Sequence, residues 1–349
     1  MEKSKKQAIL HNFVIGDGKI SVQSMTNVPV LDVDATLAQI ARLKDARCQL
    51  VRIAVPNLQS AAAFAEVRKH TSMPLIADIH FDYRLAVKAI EAGADKVRIN
   101  PGNMPERGME EVIAAAKHSG AAIRIGVNAG SLNRNELLRF DGDKRAAAIS
   151  ALTDYVRYFE NRGFCNLVLS AKCSSVADTV FINREVAKLS YPLHVGVTEA
   201  GLLRQGIVKN AIGIGSMLLD GIGDTIRVSL TADPVEEVKA AYEILSAVGK
   251  TDGVQFVSCP KCGRCSVDLE KLAAEVYDFC KDIKCNIKVA VMGCEVNGPG
   301  ECRDADIGIA GAKGNCVLFK RGQIYKTLPS DDAVEELKKE ILILANDNR

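Results

Sequence analysis

Eight short runs rich in β-branched and aliphatic residues alternate with helical patterns between residues 20 and 230, and this alternation constrains the fold more than any other feature. The intervening segments, such as "ATLAQIARLKDA" and "YRLAVKAIEAG", carry apolar residues at helical spacing, and several end near a glycine. The runs are "ISVQSM", "LVRIAV", "PLIADIH", "KVRINPG", "AAIRIGVN", "NLVLSAK", "PLHVGVTEAG" and "TIRVSL". Eight strands alternating with helices over about 250 residues predict an α/β protein with a (β/α)8 TIM barrel.

A doubly wound nucleotide-binding sheet is the alternative fold. The segment "GIGSML" at residues 213 to 218 offers two of the glycines of a dinucleotide-binding loop, but Leu218 stands where the third would be. No acidic residue follows at the required distance after a second strand, and the sequence contains no GxxxxGK[ST] phosphate loop. The pattern therefore favours the barrel.

The cysteines divide the chain unevenly. Only Cys48, Cys165 and Cys173 precede residue 258, whereas the other eight of the eleven fall between Cys259 and Cys316. A single core stops growing at roughly 250 to 300 residues, so a chain of this length is expected to hold a large and a small domain. We expect a barrel over residues 1–252 and a small α+β domain over 253–349, with a helix after "SVD", strands in "IKVAVMG", "ADIGIAG" and "NCVLFKRGQIYKTL", and a final helix from about Ser330.

The overall charge gives no reason to expect binding to nucleic acid or to a membrane surface. The formal net charge is +2, so any anion site must be local. The sequence contains neither a signal-peptide pattern nor an apolar stretch of about 20 residues, and we expect a cytoplasmic protein. In a reducing compartment the cysteines are expected to serve metal binding or burial rather than disulfides.

Polar side chains lie within or just after the predicted strands, where barrel enzymes build their active sites. Four of them repeat the pattern "VRI", "VRI", "IRI" and "IRV", in which the arginine is expected to point into the barrel. The set comprises Arg52, Asp78, His80, Arg98, Asn100, Arg124, Asn128, Lys172, Glu199, Arg227 and Ser229. Five cations against two carboxylates leave a surplus of positive charge, which predicts a phosphate or diphosphate ligand.

Each of these residues also has a purely structural interpretation. The arginines can pair with Asp78 and Glu199 in a charge network, and a histidine such as His80 is more often a hydrogen-bonded structural residue. Beside Asp78 at a strand end, however, His80 becomes a candidate for ligand contact or proton transfer. Glu199, in "GVTEAG", is the best-placed candidate acid.

The smaller domain opens with "CPKCGRC", which allows three chemistries. The spacing is similar to iron-sulfur ligation, to one half of a zinc ribbon completed by Cys280 and Cys285, and to a redox CxxC pair. Cys280 lies on the apolar face of the predicted helix, which weakens the zinc hypothesis. Cys294 instead ends a strand and enters the glycine-rich "EVNGPGE".

A site built from Cys259, Cys262 and Cys294 is therefore expected. Its fourth ligand is open, because Cys265, Glu301 and Cys302 are all candidates. An iron-sulfur cluster favours thiolate, whereas a weaker oxygen donor suits a metal that must expose a position to substrate.

Nine ordered segments, from about residue 20 to the last strands, resemble the family of 4-hydroxy-3-methylbut-2-enyl diphosphate synthases, iron-sulfur enzymes of isoprenoid biosynthesis by the methylerythritol phosphate pathway. The segments are "VQSMTN", "ADIHFDYR", "RINPGN", "RIGVNAGSL", "GVTEAG", "GIGDTIRVSL", "ADPVEEVKAAYEIL", "CPKCGR" and "GCEVNGPGE". The resemblance implies a TIM barrel followed by an iron-sulfur domain. It also implies a 4Fe-4S cluster held by Cys259, Cys262, Cys294 and, unusually, Glu301.

The activity implied by the resemblance is reductive opening of 2-C-methyl-D-erythritol 2,4-cyclodiphosphate, with loss of water, to (E)-4-hydroxy-3-methylbut-2-enyl diphosphate. Flavodoxin or ferredoxin would supply the two electrons, and a head-to-tail homodimer would bring the cluster domain of one subunit over the barrel of the other. Glu199 and Glu301 are implied as catalytic, with Glu199 the proton donor. The implied substrate-binding residues are Arg52, Asp78, His80, Arg98, Asn100, Arg124, Asn128, Lys172, Arg227 and Ser229. The alternative function is that of a TIM-barrel enzyme for another anionic or pterin-like substrate, with a structural zinc in the C-terminal domain.

Overall fold

The computed structural model describes residues 5–128, 132, 137–251, 253–281, 283–296, 300, 303–312 and 314–347. Contacts between residues divide the chain into two compact units, one ending at Ile244 and the other beginning at Leu245. Within the described ranges, no helix combines the length and the apolar character needed to cross a membrane.

The first unit is an eight-stranded parallel barrel, which confirms the predicted fold. Its strands are β3 (Ser21–Met25), β4 (Leu50–Ala54), β5 (Leu75–Asp78), β6 (Lys96–Ile99), β7 (Ala122–Asn128), β8 (Leu167–Lys172), β9 (His194–Val195) and β10 (Thr225–Ile226). They are adjacent in the order β8-β7-β6-β5-β4-β3-β10-β9, and a bridge between Leu169 and Leu193 joins the two ends of the ring.

Helices follow the barrel strands along the chain, as the apolar spacing predicts. They are α1 (Val33–Asp45), α2 (Leu58–Lys69), α3 (Tyr83–Glu91), α4 (Glu106–Ser119), α5 (Lys144–Asn161), α6 (Val176–Val186), α7 (Leu203–Leu219) and α8 (Pro234–Ala247). Side-chain oxygens of Asp32, Asn57 and Asp82 cap the amino termini of α1, α2 and α3, so polar residues at the strand-to-helix turns set where these helices begin.

Two features of the barrel differ from the sequence expectations. β9 and β10 contain two residues each, shorter than the runs "PLHVGVTEAG" and "TIRVSL", and the chain just after β9 passes very close to the chain just after β10. A Cβ on Gly196 would lie 2.3 Å from the backbone oxygen of Arg227, so only glycine fits there. The second difference is a hairpin, β1 (Ala8–Leu10) and β2 (Phe13–Ile15), in a stretch where no strand was predicted.

The hairpin packs against the beginnings of the barrel strands. Ala8, Leu10 and Ile15 form one apolar cluster with Leu50, Ile76, Ala122 and Val168, which stand at the first or second positions of β4, β5, β7 and β8. The amino-terminal end of the barrel is thus covered by apolar side chains. The opposite end, where the strands finish, carries the polar residues.

The second unit is a five-stranded mixed sheet with two helices. Its strands are β11 (Gln255–Ser258), β12 (Lys288–Met292), β13 (Ile307–Ala312), β14 (Asn315–Lys320) and β15 (Gln323–Pro329), and its helices are α9 (Leu269–Cys280) and α10 (Ser330–Asp347). β11, β12 and β13 are parallel, whereas β14 and β15 continue the sheet antiparallel. "NCVLFKRGQIYKTL" is therefore a hairpin, which turns at Arg321 and Gly322, whose φ angles are +49° and +77°.

Candidate active site

Asp78, at the end of β5, is the shared partner of three side chains. Its Oδ2 accepts hydrogen bonds from Arg52 Nη2 at 2.7 Å and pairs with His80 Nε2 at 3.1 Å. Arg98 Nη1 lies 3.4 Å from Asp78 Oδ1 and also 3.4 Å from the His80 ring nitrogens. Burial alone would raise the pKa of Asp78, but Arg52, His80 and Arg98 outweigh it and hold that pKa well below its ordinary value. The carboxylate is therefore ionised at neutral pH.

Arg227, just after β10, pairs with a carboxylate that the strand pattern did not identify. Its Nε and Nη2 donate to Glu237 Oε2 and Oε1 at 3.2 and 3.1 Å, a two-point contact with a side chain from α8. Ser24 Oγ and the Leu230 N–H also donate to Glu237, each at 3.1 Å. Glu199, weighed from sequence as a partner for the arginines, does not pair with Arg227. Glu237 lies on the buried face of α8, so helical spacing was the signal that could have found it.

Arg124 and Lys172 contribute positive charge without a carboxylate partner among the described residues. The Nε and Nη1 atoms of Arg124 are buried and make no hydrogen bond there. Burial, followed by repulsion from Arg52 and Arg98, lowers the pKa of Arg124 well below its ordinary value, and burial with repulsion from Arg124 does the same for Lys172. The charged forms of both side chains are held in an unfavourable environment that an anion would relieve.

The other predicted residues also lie at this end of the barrel. Asn100 follows β6 and accepts a hydrogen bond from the Gly102 N–H at 3.3 Å, Asn128 is the last residue of β7 in register with Lys172, and Ser229 follows β10. Glu199 is exposed and has a φ of +54°, a left-handed conformation that is uncommon for a residue with a Cβ. Such backbone strain clusters at functional sites, which is consistent with a role for Glu199.

Two further basic residues, Lys96 and His194, lie inside the barrel and were not among the strand-end residues predicted from the sequence. Lys96 and His194 are fully buried, and neither the Lys96 Nζ nor the two His194 ring nitrogens have a hydrogen-bond partner in the described part of the chain. Lys96 lies two residues before Arg98 in β6, so strand alternation places both side chains on the inner face. The alternation of inward and outward side chains along β6 predicts that Lys96 points the same way as Arg98, and this is the sequence signal that identifies it.

The interior therefore holds more basic side chains than the sequence suggested. They include Arg52, Lys96, Arg98, Arg124, Lys172 and Arg227, and the carboxylates among the described residues that pair with these arginines are Asp78 and Glu237. Both carboxylates are already engaged by arginines. A buried surplus of this kind can bind a multiply charged anion such as a phosphate or diphosphate.

Replacing Asp78 with asparagine is expected to destabilise the protein by about 3 to 5 kcal/mol, because the substitution leaves Arg52 and Arg98 buried without their shared counter-charge. Urea unfolding followed by circular dichroism measures the change. The contribution of Asp78 is present above the carboxyl pKa of the unfolded chain, about 3.9, and is lost only as the pH falls toward its lowered folded value, so the loss is expected to be constant between about pH 6 and 8.

Asp82→Asn is the matched control for this substitution. Asp82 caps α3 and pairs with Arg84 at the surface, and asparagine caps a helix as well as aspartate does, so a change below about 0.5 kcal/mol is expected. Equal stability losses in the two variants would contradict the assignment of Asp78 as the counter-charge of the buried arginines.

In the second unit, the sheet brings two predicted cysteines to one edge. Cys259 follows β11 and Cys294 lies two residues after β12, and these strands are parallel neighbours whose carboxyl ends meet. The Gly293 N–H donates to Cys259 Sγ at 3.2 Å. Cys262 is exposed on the same loop as Cys259, and its carbonyl oxygen accepts from the Cys265 N–H at 3.0 Å.

Cys265 also approaches this edge. A Cβ on Gly293 would lie 2.6 Å from Cys265 Sγ, and the Ser266 N–H donates to the Gly293 oxygen at 2.9 Å, so glycine at position 293 lets the two loops pack together. Cys265 Sγ itself lies 3.2 Å from the Val267 oxygen. Of the three candidates for a fourth ligand, Cys265 lies at this edge, and Glu301 and Cys302 lie outside the described residues.

Cys280 and Cys285 belong to the core of the second unit. Both are buried in one apolar cluster with Val276 of α9 and Leu337 of α10, and burial raises the pKa of Cys280 to about 11. A thiol held protonated in an apolar core is a poor metal ligand, because metals bind the thiolate. The zinc-ribbon hypothesis that used this pair is therefore not favoured.

The residues at the sheet edge suit an iron-sulfur centre by the chemistry of their donors. Cys259, Cys262 and Cys294 are soft thiol donors on loops at adjacent strand ends, and the N–H bond to Cys259 Sγ is the kind of contact that tunes a cluster thiolate. Over the described ranges, no three histidine, cysteine, aspartate or glutamate side chains converge as a metal site.

Comparison with known protein families covers both units. Residues 5–242 match the GcpE TIM-barrel domain, and residues 255–342 match the GcpE protein C-terminal domain. In fold alone, the barrel is similar to dihydropteroate synthases. The crystal structure from Stenotrophomonas maltophilia with active site-bound imidazole aligns with a TM-score of 0.52 at 15% identity, over 70% of this chain and 98% of that chain. A Xanthomonas albilineans dihydropteroate synthase aligns at 0.51 and 15%, over 70% of this chain and 99% of that one.

Curated relatives are similar to the chain over nearly its whole length. Proteins from Caldanaerobacter subterraneus, Geobacillus thermodenitrificans and Bacillus subtilis are 50%, 49% and 48% identical to it, over 98%, 95% and 95% of this chain and 97%, 90% and 89% of their own lengths. Each is named 4-hydroxy-3-methylbut-2-en-1-yl diphosphate synthase (flavodoxin). The chain therefore belongs to the GcpE family, the family of the 4-hydroxy-3-methylbut-2-en-1-yl diphosphate synthases.

Proposed function

We propose that this protein catalyses the two-electron reductive opening of 2-C-methyl-D-erythritol 2,4-cyclodiphosphate to (E)-4-hydroxy-3-methylbut-2-enyl diphosphate, in the cytoplasm. The observation that carries this proposal is the surplus of buried cations at the carboxyl end of the barrel, where Arg124 and Lys172 have no carboxylate partner among the described residues. A diphosphate supplies the missing negative charge. Family membership supports the reaction, because the relatives carry the name of the synthase.

The barrel, residues 1–252, would bind the substrate. Arg52, Arg98, Arg124, Lys172, Arg227 and Ser229 would hold the diphosphate, with the arginines giving charge-assisted and two-point hydrogen bonds. Asp78 and Glu237 fix the arginines that they contact, so the cation array is organised before substrate arrives. His80, Asn100 and Asn128 would contact the rest of the substrate.

One substrate oxygen leaves as water, and it needs a proton. Glu199 is proposed as the donor, because it is exposed in the segment that follows β9 and is held in a left-handed conformation. Residues 253–349 would hold a 4Fe-4S cluster through Cys259, Cys262, Cys294 and Glu301. When bound, the cluster supplies electrons one at a time from reduced flavodoxin or ferredoxin. Glu301 is the ligand proposed to be exchangeable, because a carboxylate holds iron less firmly than a thiolate does.

Turnover of the cyclic diphosphate tests this function. Anaerobically purified protein, mixed with the substrate and reduced flavodoxin, is expected to form the linear diphosphate product, detected by mass spectrometry. Omission of flavodoxin is the control. Formation of no product from protein that contains the cluster would refute the proposed reaction.

The active unit is proposed to be a head-to-tail homodimer without nucleic-acid or membrane partners. A row of exposed apolar side chains supports association: Phe181 lies on α6, and Val208, Ile212 and Leu219 lie on one face of the adjacent α7. Exposed apolar patches of this kind mark protein interfaces.

A heterodimer of two inactive variants tests the head-to-tail arrangement. One subunit would carry Arg124→Met in the barrel and the other Cys294→Ser in the cluster domain, and different affinity tags would allow purification of the mixed dimer. If each active site joins the barrel of one subunit to the cluster of the other, one of the two sites is intact and turnover is about half that of the wild-type dimer. Background turnover by the mixed dimer would place barrel and cluster of each site in the same subunit.

A further inference from the structure

The barrel interior contains a second group of basic side chains that belongs neither to the proposed diphosphate set nor to the apolar cluster under the hairpin. Lys96 in β6 and His194 in β9 are fully buried, and we call these two residues the deep basic pair. The polar atoms of Gln23 and Thr225, which are buried in neighbouring strands, also have no hydrogen-bond partner among the described residues.

The strand register places the deep basic pair inside the barrel. His194 is in register with Thr225 of β10, which precedes the inward-facing Arg227 by two residues. Lys96 is in register with Ile76 and Ala122, whose side chains belong to the apolar cluster under the hairpin. The backbone of Lys96 therefore lies beside the apolar cluster, and its amine is within the electrostatic influence of Arg124 and Arg52.

The charged groups that face the deep basic pair are predominantly positive. Arg52 of β4 and Arg124 of β7 act on both members, and Lys172 of β8 acts on His194. The remaining charged groups of this interior are Arg98 of β6, Arg227 after β10, Asp78 of β5 and Glu237 of α8. Asp95, the residue before Lys96, favours the charged form of Lys96 but is outweighed by burial and by Arg124, and it is bound by His11, Arg68 and the Leu75 N–H. Asp224, the buried residue before Thr225, is bound by Lys5 and the Leu193 N–H.

No carboxylate among the described residues is thus available to neutralise the pair, since Asp78 and Glu237 are held by arginines. Burial, followed by repulsion from Arg124, lowers the pKa of Lys96 well below its ordinary value. Burial, followed by repulsion from Lys172, lowers the pKa of His194 in the same direction. Because Lys96 and His194 are fully buried and their side-chain nitrogens have no hydrogen-bond partner among the described residues, the charged forms of both are disfavoured when the site holds no anion.

We propose that Lys96 and His194 take up protons from solvent when an anion occupies the cation array above them, so that the substrate binds together with protons. A multiply charged anion beside Arg124 and Lys172 cancels the repulsion that disfavours the charged forms of the pair. The identity of the ligand as the cyclic diphosphate rests on the proposed function. Because each phosphorus of that ligand carries a single acidic oxygen, already ionised at neutral pH, the ligand does not titrate and the protons must enter the protein.

The sign of the resulting pH dependence follows from linkage. A group that gains a proton on binding makes affinity rise as pH falls, over the range between its pKa in the free and in the bound protein. The wild-type protein should therefore bind the anion more tightly at pH 7 than at pH 9. A variant without the deep basic pair should show a flatter profile.

Isothermal titration calorimetry measures the number of protons that the protein takes up when the anion binds. The heat of binding is compared between buffers of different ionisation enthalpy, and its slope gives that number. The protein would be titrated with the cyclic diphosphate and, separately, with trimetaphosphate, a cyclic anion that is likewise fully ionised at neutral pH. We expect uptake of about one proton per ligand in the wild-type protein, and less than about half of that in the Lys96→Met, His194→Gln double variant. Lys88→Met, an exposed substitution on α3, is the control and should leave uptake unchanged.

Each outcome decides the proposal. Zero uptake in the wild-type protein would overturn the proposal. Equal uptake in the wild-type protein and the double variant would also overturn it, because the protons would then enter groups other than Lys96 and His194. The single variants keep the test valid if the double variant does not fold, because either one must lower the proton count. Trimetaphosphate separates the two claims: if it binds with Lys96-dependent proton uptake while the cyclic diphosphate does not bind, the inference stands and the proposed substrate fails.

Discussion

Replacement of Cys294 with serine is expected to yield protein that contains neither iron nor acid-labile sulfide and that has only background turnover. Cys294 lies where β12 ends beside β11, next to the residue whose N–H binds Cys259 Sγ, so it is proposed to be one of three fixed thiolate ligands. Serine offers a hard oxygen donor that does not replace a thiolate on iron. Iron and sulfide analysis of the anaerobically purified variant measures the loss.

Cys280→Ala is the matched control, because Cys280 is buried in the core of the same unit. The control should keep its iron and sulfide, with a loss of stability of about 1 kcal/mol from the removed sulfur. If Cys280→Ala loses the metal and Cys294→Ser retains it, the ligand assignment is wrong.

Glu301→Ala distinguishes cluster assembly from turnover. We expect the cluster to assemble and turnover to fall steeply. Unimpaired turnover would instead implicate Cys265 or Cys302 as the fourth ligand.

Replacement of Arg124 with methionine is expected to lower kcat/KM for the cyclic diphosphate by about 10³-fold, equivalent to roughly 4 kcal/mol. Arg124 faces the proposed diphosphate site with its Nε and Nη1 unpartnered within the described residues, so its hydrogen-bonding capacity is available to the ligand. Steady-state kinetics with reduced flavodoxin measure the effect.

The stability of the same variant distinguishes a binding role from a structural one. Arg124 has no carboxylate partner among the described residues, so its removal leaves no buried carboxylate unpaired. The free energy of unfolding should therefore stay the same or increase. Arg227→Met, by contrast, leaves the buried carboxylate of Glu237 without its arginine partner and should destabilise the protein. Arg107→Met, on the outer surface of α4, is the control for both kinetics and stability. Loss of stability in Arg124→Met with unchanged kcat/KM would contradict the binding role.

Much of the barrel was predictable because its signals are local. Each strand and each helix carries its own apolar spacing, and eight repetitions in order exclude most other topologies. The hairpin of β1 and β2 was missed because three-residue strands carry too little pattern, and its role depends on contacts with Leu50 and Val168, which are distant in sequence.

The candidate site was predictable where alternation and strand position defined it. Arg52, Asp78, Arg98 and Arg124 lie on adjacent strands, and the arginine repeats indicated their common direction. Glu237 was missed because it comes from a helix and meets Arg227 only through packing. The structure adds Lys96 to the basic side chains noted from the sequence, because Lys96 is the first residue of β6 and not a strand-end residue. The sheet edge that joins Cys259 to Cys294 follows from the pairing of β11 with β12, which spacing along the chain does not specify.

Metal analysis of the anaerobically purified wild-type protein tests the proposed iron-sulfur chemistry most directly. Iron, zinc and acid-labile sulfide would be quantified per chain in one preparation. A 4Fe-4S cluster held by the second unit predicts about four irons and four sulfides per chain. One zinc per chain with no acid-labile sulfide would contradict the proposed cluster, and with it the reductive reaction that depends on it.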